Sequence, residues 1–302
     1  MKKILSIGEA LIDVIKQDGK IIEENVGGAP LNVACSVGYL GGDVSFVGAI
    51  GNDSNGKKIE EMLSKYKVDL KNVQVLEDRN TSLAYVSIYD EGERNFEFKL
   101  DADQKLSFKP IEDEFGNYDI VHLGSATSLL SDEVKKNYKE ILKRAVEEKM
   151  FISFDPNWRN LLWKEDKETF KKEVEPFLKA AHLVKLSEEE LQIVSEISDN
   201  KLGLEKIMKL YPQAAFIITL GSNGSLFGYQ GVTKHYEIQK SQNPVDTTGA
   251  GDSFIAYIVY KISQLDNFSS WIEHKDDIVN DANLFARNSI EYKGALSFLE
   301  HL

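Results

Sequence analysis

The sequence predicts an α/β protein, a mostly parallel sheet sandwiched by helices and carrying a small β-sheet lid. Three observations predict it. Short β-like runs alternate with helical segments along most of the chain, the rhythm of βαβ units. Two β-like stretches, near 21–25 and 82–99, fall outside that rhythm. The chain of 302 residues, 42% hydrophobic and 28% charged, is also long enough to bury one large core.

The elements follow in order. Residues 4–8 read as a buried strand and 29–40 as a helix of small and apolar residues. A strand at 44–49 precedes a helix over 55–63. Further strands are expected at 120–123, 151–155, 183–186 and 216–220, separated by helices near 133–148, 167–179, 188–195 and 200–209. The segment 82–89 alternates Ala84, Val86 and Ile88 on one face with Leu83, Tyr85 and Tyr89 on the other. Asp90-Glu91-Gly92-Glu93 then has the composition of a hairpin turn leading into 95–99. Both faces are largely apolar, which suits a small sheet with a ligand under one face and a partner on the other; a plain meander of the main body is the alternative.

Charge and cysteine usage exclude several classes. Lys and Arg number 36 against 49 Asp and Glu, a net charge of −13, and such a surface repels nucleic-acid phosphates. Cys35 is the only cysteine, so neither an internal disulfide nor a Cys-rich zinc site forms. The Met-Lys-Lys start is interrupted by Glu9 and Asp13, and the longest apolar run, 254–260, is far short of the roughly 20 residues that cross a bilayer. A cytoplasmic protein with no nucleic-acid or membrane partner is expected.

The most informative stretch is Asp246-Thr247-Thr248-Gly249-Ala250-Gly251-Asp252-Ser253-Phe254, which holds the only Gly-x-Gly and opens the apolar helical run 254–262. Small residues at a helix start let backbone N–H groups approach an anion, and the helix dipole adds about half a positive charge there. Asp252 in the first turn has its charge favoured by that dipole, so it is expected to be ionised. A base beside an anion hole suits phosphoryl transfer to a hydroxyl; a plain N-cap with tight Gly packing is the other reading.

Other stretches are read in the same way. Gly27-Gly28-Ala29-Pro30-Leu31-Asn32 opens a helix, and with Asp13 it offers donors and acceptors for polyol hydroxyls, or is a structural turn. Gly51-Asn52-Asp53-Ser54-Asn55-Gly56-Lys57-Lys58 has Walker A spacing, but Lys58 stands where a Ser or Thr must meet Mg²⁺, so it reads as a surface turn. No G-x-G-x-x-G, H-E-x-x-H or G-x-S-x-G is present, against dinucleotide, zincin and nucleophile-elbow readings. His122 reads as a core or rim histidine. Asp155, Asn157 and Arg159 follow a strand, where α/β proteins line their ligand crevice, though a capping Asp and a surface Arg would look the same. After the next strand, Ser187 and Glu190 have capping-box spacing, or Glu190 holds the water shell of Mg²⁺. Thr219-Leu220-Gly221-Ser222-Asn223-Gly224 follows a further strand and could meet nucleotide phosphates or ribose.

Taken together, 27–32 with 48–56, and above all 246–254, resemble the two signatures of the ribokinase-like (pfkB-type) carbohydrate kinases, and the order of elements is similar over essentially the whole chain. The resemblance implies a ribokinase-like fold with a main body over 1–10, 27–80 and 101–302, and a discontinuous lid over 11–26 and 81–100. It implies Asp252 as catalytic base with Gly249, Ala250 and Gly251 as the anion hole. Asp13, Gly27, Gly28, Asn32, Phe98 and Arg159 would then bind the sugar. Asn157, Lys185, Ser187, Glu190, Thr219, Gly221, Gly224 and Asn283 would meet ATP. Glu190 would hold Mg²⁺ through water, and Asp246, Thr248, Ser289, Tyr292 and Gly294 match the family's site for a monovalent cation such as K⁺. The two apolar faces of the 82–99 hairpin, one over the sugar and one against the same hairpin of a second subunit, lead us to expect a homodimer through the lid.

Asp155-x-Asn157-x-Arg159-x-Leu161-Leu162-Trp163 and Gly92-Glu93-Arg94-Asn95-Phe96 resemble the fructokinase branch. The first of these also resembles 2-keto-3-deoxygluconate kinases, whose Tyr-Tyr-Arg lid pattern this chain lacks. A catalytically inactive sugar-binding regulator is the reading from another class. Two positions depart from the family: Ser187 replaces the Asn of N-x-x-E, and Lys99 is the nearest cation where fructokinases often have an Arg after the second lid strand.

Overall fold

The computed structural model describes residues 1–88 and 94–302, with the side chains at 88 and 94–96 outside the description. The expected turn at 90–93, the Tyr89 side chain and the Gly92–Phe96 stretch therefore lie outside the described residues, in whole or in their side chains. The strands are β1 (Ile4–Ile7), β2 (Leu11–Gln17), β3 (Lys20–Gly27), β4 (Val44–Val47), β5 (Ala49–Gly51), β6 (Gln74–Leu76), β7 (Ser82–Ile88) and β8 (Arg94–Lys99). They continue as β9 (Ile120–Gly124), β10 (Phe151–Asp155), β11 (Leu183–Ser187), β12 (Ala215–Thr219), β13 (Ser225–Tyr229) and β14 (Val232–Tyr236). The helices are α1 (Ala29–Tyr39), α2 (Ser54–Lys65), α3 (Asp132–Glu147), α4 (Asn160–Trp163), α5 (Lys167–Ala180), α6 (Glu188–Ser195), α7 (Asn200–Leu210), α8 (Ala250–Ser263) and α9 (Lys275–Ser289).

An eight-stranded sheet in the order β14-β13-β12-β11-β10-β9-β1-β4 forms the body. Its strands pair in parallel from β4 to β12, and β13 and β14 add an antiparallel edge. Alternate residues of the buried strands face opposite sides, as a parallel sheet covered on both faces requires. Ile4 thus joins one core with α1, α2, α8 and α9, while Leu5 and Ile7 join a second core with α3, α5, α6 and α7. The chain leaves β1 toward β4 and returns to β9 on its other side, and such a switch point opens the ligand crevice at the carboxyl ends of the strands.

Residues 11–27 and 82–99 supply a second, four-stranded sheet in the order β3-β2-β7-β8. Its register settles which residues share a face. Asn25, Asp13, Ala84 and Phe98 lie side by side across the four strands, so they project together, with Val86 two residues along on the same side. Ile12, Val14, Leu83 and Tyr85 occupy the opposite side and join the core that α1 and α2 belong to.

The expected strand over 44–49 is two strands. Gly48 separates β4, which joins the main sheet, from β5, which pairs with β6. A Cβ at Gly48 would come within 2.8 Å of the Gly8 carbonyl oxygen, so the break sits where two backbones touch. Asp53 caps α2 by accepting the Gly56 N–H at 2.8 Å, which makes the Walker-like run a helix start. His122 is buried inside β9 with Nδ1 3.0 Å from Ser153 Oγ. Among the described residues no helix is long and apolar enough to cross a membrane.

Candidate active site

Asp252 lies in the first turn of α8, and Asn32 lies in the first turn of α1. The two helices pack side by side, and Asn32 Nδ2 donates to Asp252 Oδ2 at 2.8 Å in a buried position. Asn32 Oδ1 is buried with no hydrogen-bond partner among the described residues, so it is an acceptor aimed at something else. Gly249 caps α8 in a left-handed conformation, φ 77, that glycine adopts without strain. A Cβ there would also press on Ala295. The N–H groups of Gly251 and Asp252 precede the first helical bond, Ser253 N–H to Gly249 O at 2.8 Å, and no backbone acceptor takes them among the described residues, which leaves them to face an anion.

Lys185 reaches this helix start from β11. A Cβ added at Gly251 would lie 3.0 Å from Lys185 Nζ, which places the ammonium against the glycine pair. Burial alone would drive the Lys185 proton off, but Asp155, Glu190 and Asp252 outweigh it and hold the ammonium above its ordinary value. Burial pushes the Asp252 carboxyl up, against the Asn32 hydrogen bond, Lys185 and Arg159. Burial is thus a second influence on its charge, acting against the helix dipole read from the sequence.

The turn after β10 is pinned from two sides. Asn157 takes a left-handed conformation, φ 51, and its N–H donates to Asp155 Oδ1 at 3.2 Å. Glu190 completes the capping box with Ser187, and its other oxygen accepts the Trp158 N–H at 2.6 Å. Arg159 is exposed, and its charge reaches both Asp13 and Asp252. On β2, burial pushes Asp13 up to about 6, with Arg159 opposing and Asp246 and Asp252 adding to the rise. Gly27 and Gly28 are required by contact: a Cβ at Gly27 would meet Asp13 Oδ2 at 2.4 Å, and one at Gly28 would meet the Glu9 carbonyl at 2.3 Å.

The nucleotide candidates lie farther along the same sheet edge. Thr219 ends β12, and Gly224 turns the chain with φ 84 against the Tyr236 backbone. Gly221 has a positive φ and open space around it. Asn283 on α9 donates to Ser225 Oγ at 3.1 Å and lines a small cavity with Ile238, Leu284 and Arg287. Asp246 Oδ1 accepts from Thr248 N–H and hydroxyl at 3.0 and 2.7 Å. Its Oδ2 accepts the Gly294 N–H at 3.0 Å, joining the 246–248 loop to the segment after α9. Sequence reasoning missed Glu9, Ser82 and Asp103, all buried where the four-stranded sheet joins the body. An acid after a strand reads as exposed unless the fold above it is known.

Comparison with known proteins fits this geometry. The pfkB family carbohydrate kinase model matches residues 1–302. A fructokinase of Escherichia coli is 30% identical over 300 residues, covering 98% of this chain and 96% of that protein. A fructokinase of Xylella fastidiosa, solved with bound ATP, superposes with a TM-score of 0.87 at 26% identity, covering 99% of this chain and 95% of that one. A Vibrio cholerae fructokinase, solved with fructose, ADP and a calcium ion, gives 0.85 at 27% identity over 99% of this chain and 96% of that one. A double mutant of that enzyme was solved with fructose, ADP and potassium.

Proposed function

The chain belongs to the pfkB family of carbohydrate kinases and is an ATP-dependent, fructokinase-like sugar kinase, and from that premise we propose that its acceptor is D-fructose and its base Asp252. The observation that carries the reading is the buried Asn32–Asp252 pair set at the start of α8, beside two glycines and a lysine. Fructokinase relatives at 30% identity and a fructose-bound neighbour support the choice of sugar.

The residues divide the work as follows. Asp13 and Asn32 Oδ1 accept hydrogen bonds from sugar hydroxyls, with Gly27 and Gly28 giving the sugar room to approach, Phe98 above it and Arg159 at the rim. Asp252 takes the proton of the attacking hydroxyl as the oxygen bonds to the γ-phosphorus. The bond from that phosphorus to the β,γ-bridging oxygen breaks, and ADP leaves with the electron pair. The N–H groups of Gly251 and Asp252 and the Lys185 ammonium face the charge that develops on the transferring group, where preorganised donors contribute most, while the Ala250 N–H is taken by Thr247 O at 3.3 Å.

ATP lies along the sheet edge past Asn157, Ser187, Thr219, Gly221 and Gly224, with Asn283 beside the adenine. Each Glu190 oxygen already accepts one backbone N–H and keeps a lone pair for water, so Glu190 fits the role of holding a hydrated Mg²⁺. Asp246 and Thr248, with carbonyls at Ser289, Tyr292 and Gly294, would hold K⁺, and the bond from Gly294 N–H to Asp246 Oδ2 supports that reading by joining the two segments. Mg²⁺ would neutralise phosphate charge, and K⁺ would steady the loop before the anion hole. The proposed lid dimer would cover Ile21 and Ile22, 55% and 51% exposed on the edge strand β3. The reading includes a cytoplasmic location, which suits an ATP-dependent reaction.

An ADP-release assay across a sugar panel tests the reading. D-Fructose should exceed 2-keto-3-deoxygluconate and ribose by at least about tenfold in kcat/KM, roughly 1.4 kcal/mol of transition-state preference. Equal or reversed preference moves the acceptor to the ketoacid sugar, and no turnover with any sugar leaves a binding protein.

A further inference from the structure

Glu9 follows β1 and is 2% exposed, yet it belongs to neither the sugar nor the nucleotide contacts described above. Its Oε1 accepts the N–H of Ala29, the first residue of α1, at 3.1 Å. That helix has no cap of its own: Gly28 stands at the cap position, and the first turn carries no acidic residue. Gly28 has φ 115, and a Cβ there would lie 2.3 Å from the Glu9 carbonyl oxygen. The Ser, Thr, Asp or Asn that ordinarily caps a helix is thus excluded by Glu9's own backbone, and Glu9 supplies the missing acceptor from outside. One turn into the same helix, Asn32 N–H bonds back to Gly28 O at 2.9 Å, and Asn32 Nδ2 reaches Asp252 at 2.8 Å.

We propose that Glu9 is a positioning residue for phosphoryl transfer: by capping α1 from outside the helix, it holds Asn32 in hydrogen-bond register with Asp252. The inference rests on the reading of Asp252 as the base. Ser6 Oγ also tethers this first turn, donating to Pro30 O at 2.7 Å, while Glu9 supplies the side-chain acceptor for its first N–H, so the cap fixes the end of the turn that carries Asn32.

The second oxygen tells which form of Glu9 does this. Oε2 is buried with no hydrogen-bond partner among the described residues, and a buried oxyanion left in that state is costly. The titratable groups facing it are Asp103 beyond β8, Asp252 on α8 and Tyr138 on α3, whose hydroxyl donates to Ile7 O and Gly124 O. Burial, with the charges of Asp103 and Asp252 behind it, pushes Glu9 up to about 7. The folded state therefore binds this proton more tightly than the unfolded chain. The stability it gives is complete below the ordinary carboxyl value and is lost as pH rises through about 7.

The test compares Glu9→Ala, Glu9→Gln, Asn32→Ala, the double variant of Glu9→Ala with Asn32→Ala, and Asp252→Asn, all in the full chain. Glu9→Ala should lower kcat with fructose by roughly tenfold to a hundredfold, with KM for ATP moving less than about twofold. Glu9→Gln keeps the acceptor for Ala29 N–H and places an amide where the protonated oxygen was. It should restore kcat to within about threefold of wild type and flatten the fall of the thermal midpoint between about pH 5 and 8. In the Asn32→Ala background, Glu9→Ala should cost less than about twofold more, because its path is already broken. Wild-type kcat in folded Glu9→Ala, full additivity in the double variant, or Glu9→Gln as impaired as Glu9→Ala would each overturn the inference. If Glu9→Ala does not fold, Glu9→Asp takes its place, since one methylene less breaks the cap while keeping the carboxyl. An active Asp252→Asn defeats the reading of the base; an inactive Asp252→Asn beside a normal Glu9→Ala defeats only the inference about Glu9.

Discussion

Lys185 Nζ lies 2.9 Å from Asp155 Oδ2 on the neighbouring strand, and the pair is buried, with side chains 8% and 2% exposed. Removing one partner of such a pair leaves the other charge stranded, which typically costs about 3–5 kcal/mol. Lys185→Met should therefore lower stability by roughly that amount in urea unfolding and abolish most turnover. Adding Asp155→Asn to Lys185→Met should recover much of the stability, because the carboxylate in direct contact with the lost ammonium is no longer stranded, without recovering kcat. Recovery of both would mean that Lys185 is structural and does not meet the phosphates.

Asp252→Asn keeps the shape of the helix start and the contact with Asn32, and removes only the proton acceptor. The expected loss in kcat is on the order of 10²–10⁴, with sugar and nucleotide affinities by calorimetry nearly unchanged. Turnover above about a tenth of wild type would show that another group accepts the proton.

How much of this was legible in the sequence depends on the distance over which each feature is built. The strands β9 to β12 are four runs of apolar residues with helical periodicity between them, so local pattern found them within a residue or two. β2 was not singled out as a strand, because Leu11–Gln17 follows β1 after only three residues, with Gly8 the sole breaker between two apolar runs. β14 is polar and mostly exposed, which hides an edge strand from any hydrophobic pattern. Asp252 could be named because its glycine-rich run is distinctive, but its partner Asn32 is 220 residues away. Only the packing of α1 on α8 joins them. Burial also acts on the charge of Asp252 beyond the reach of the sequence: a local helix dipole can be read there, whereas the desolvation opposing it cannot.

In the proposed site, Asp13 gives sugar binding a pH dependence with a definite sign. Burial raises its carboxyl to about 6, so below that pH it is protonated and loses one acceptor for sugar hydroxyls. Fructose KM should rise as pH falls through about 6 while KM for ATP stays level. Asp13→Asn should have a high fructose KM at all pH values and no inflection near that point. A wild-type KM that is flat from pH 5 to 8 would remove Asp13 from the site.

The register of the small sheet turns the lid into a test of two faces. Val86 lies on the side of Asp13, Ala84 and Phe98, whereas Tyr85 lies on the opposite side, with Lys16 Nζ 3.8 Å from its ring centroid. Closure over the sugar excludes water that would compete for the γ-phosphoryl group, so charge on the inner side should disturb binding at the site itself. Val86→Asp is expected to raise fructose KM by roughly tenfold or more, on the scale of about 1.4 kcal/mol for each tenfold, with little change in mass by light scattering. Ile22→Asp, at the exposed edge of β3, should do the reverse and halve the mass of a lid-paired dimer while leaving fructose KM within about twofold. A monomeric wild type would dismiss the dimer alone, because Val86→Asp reads the inner face without it. If Val86→Asp folds and binds fructose as wild type does, the four-stranded sheet is an ornament of the body and the cleft is closed by something else.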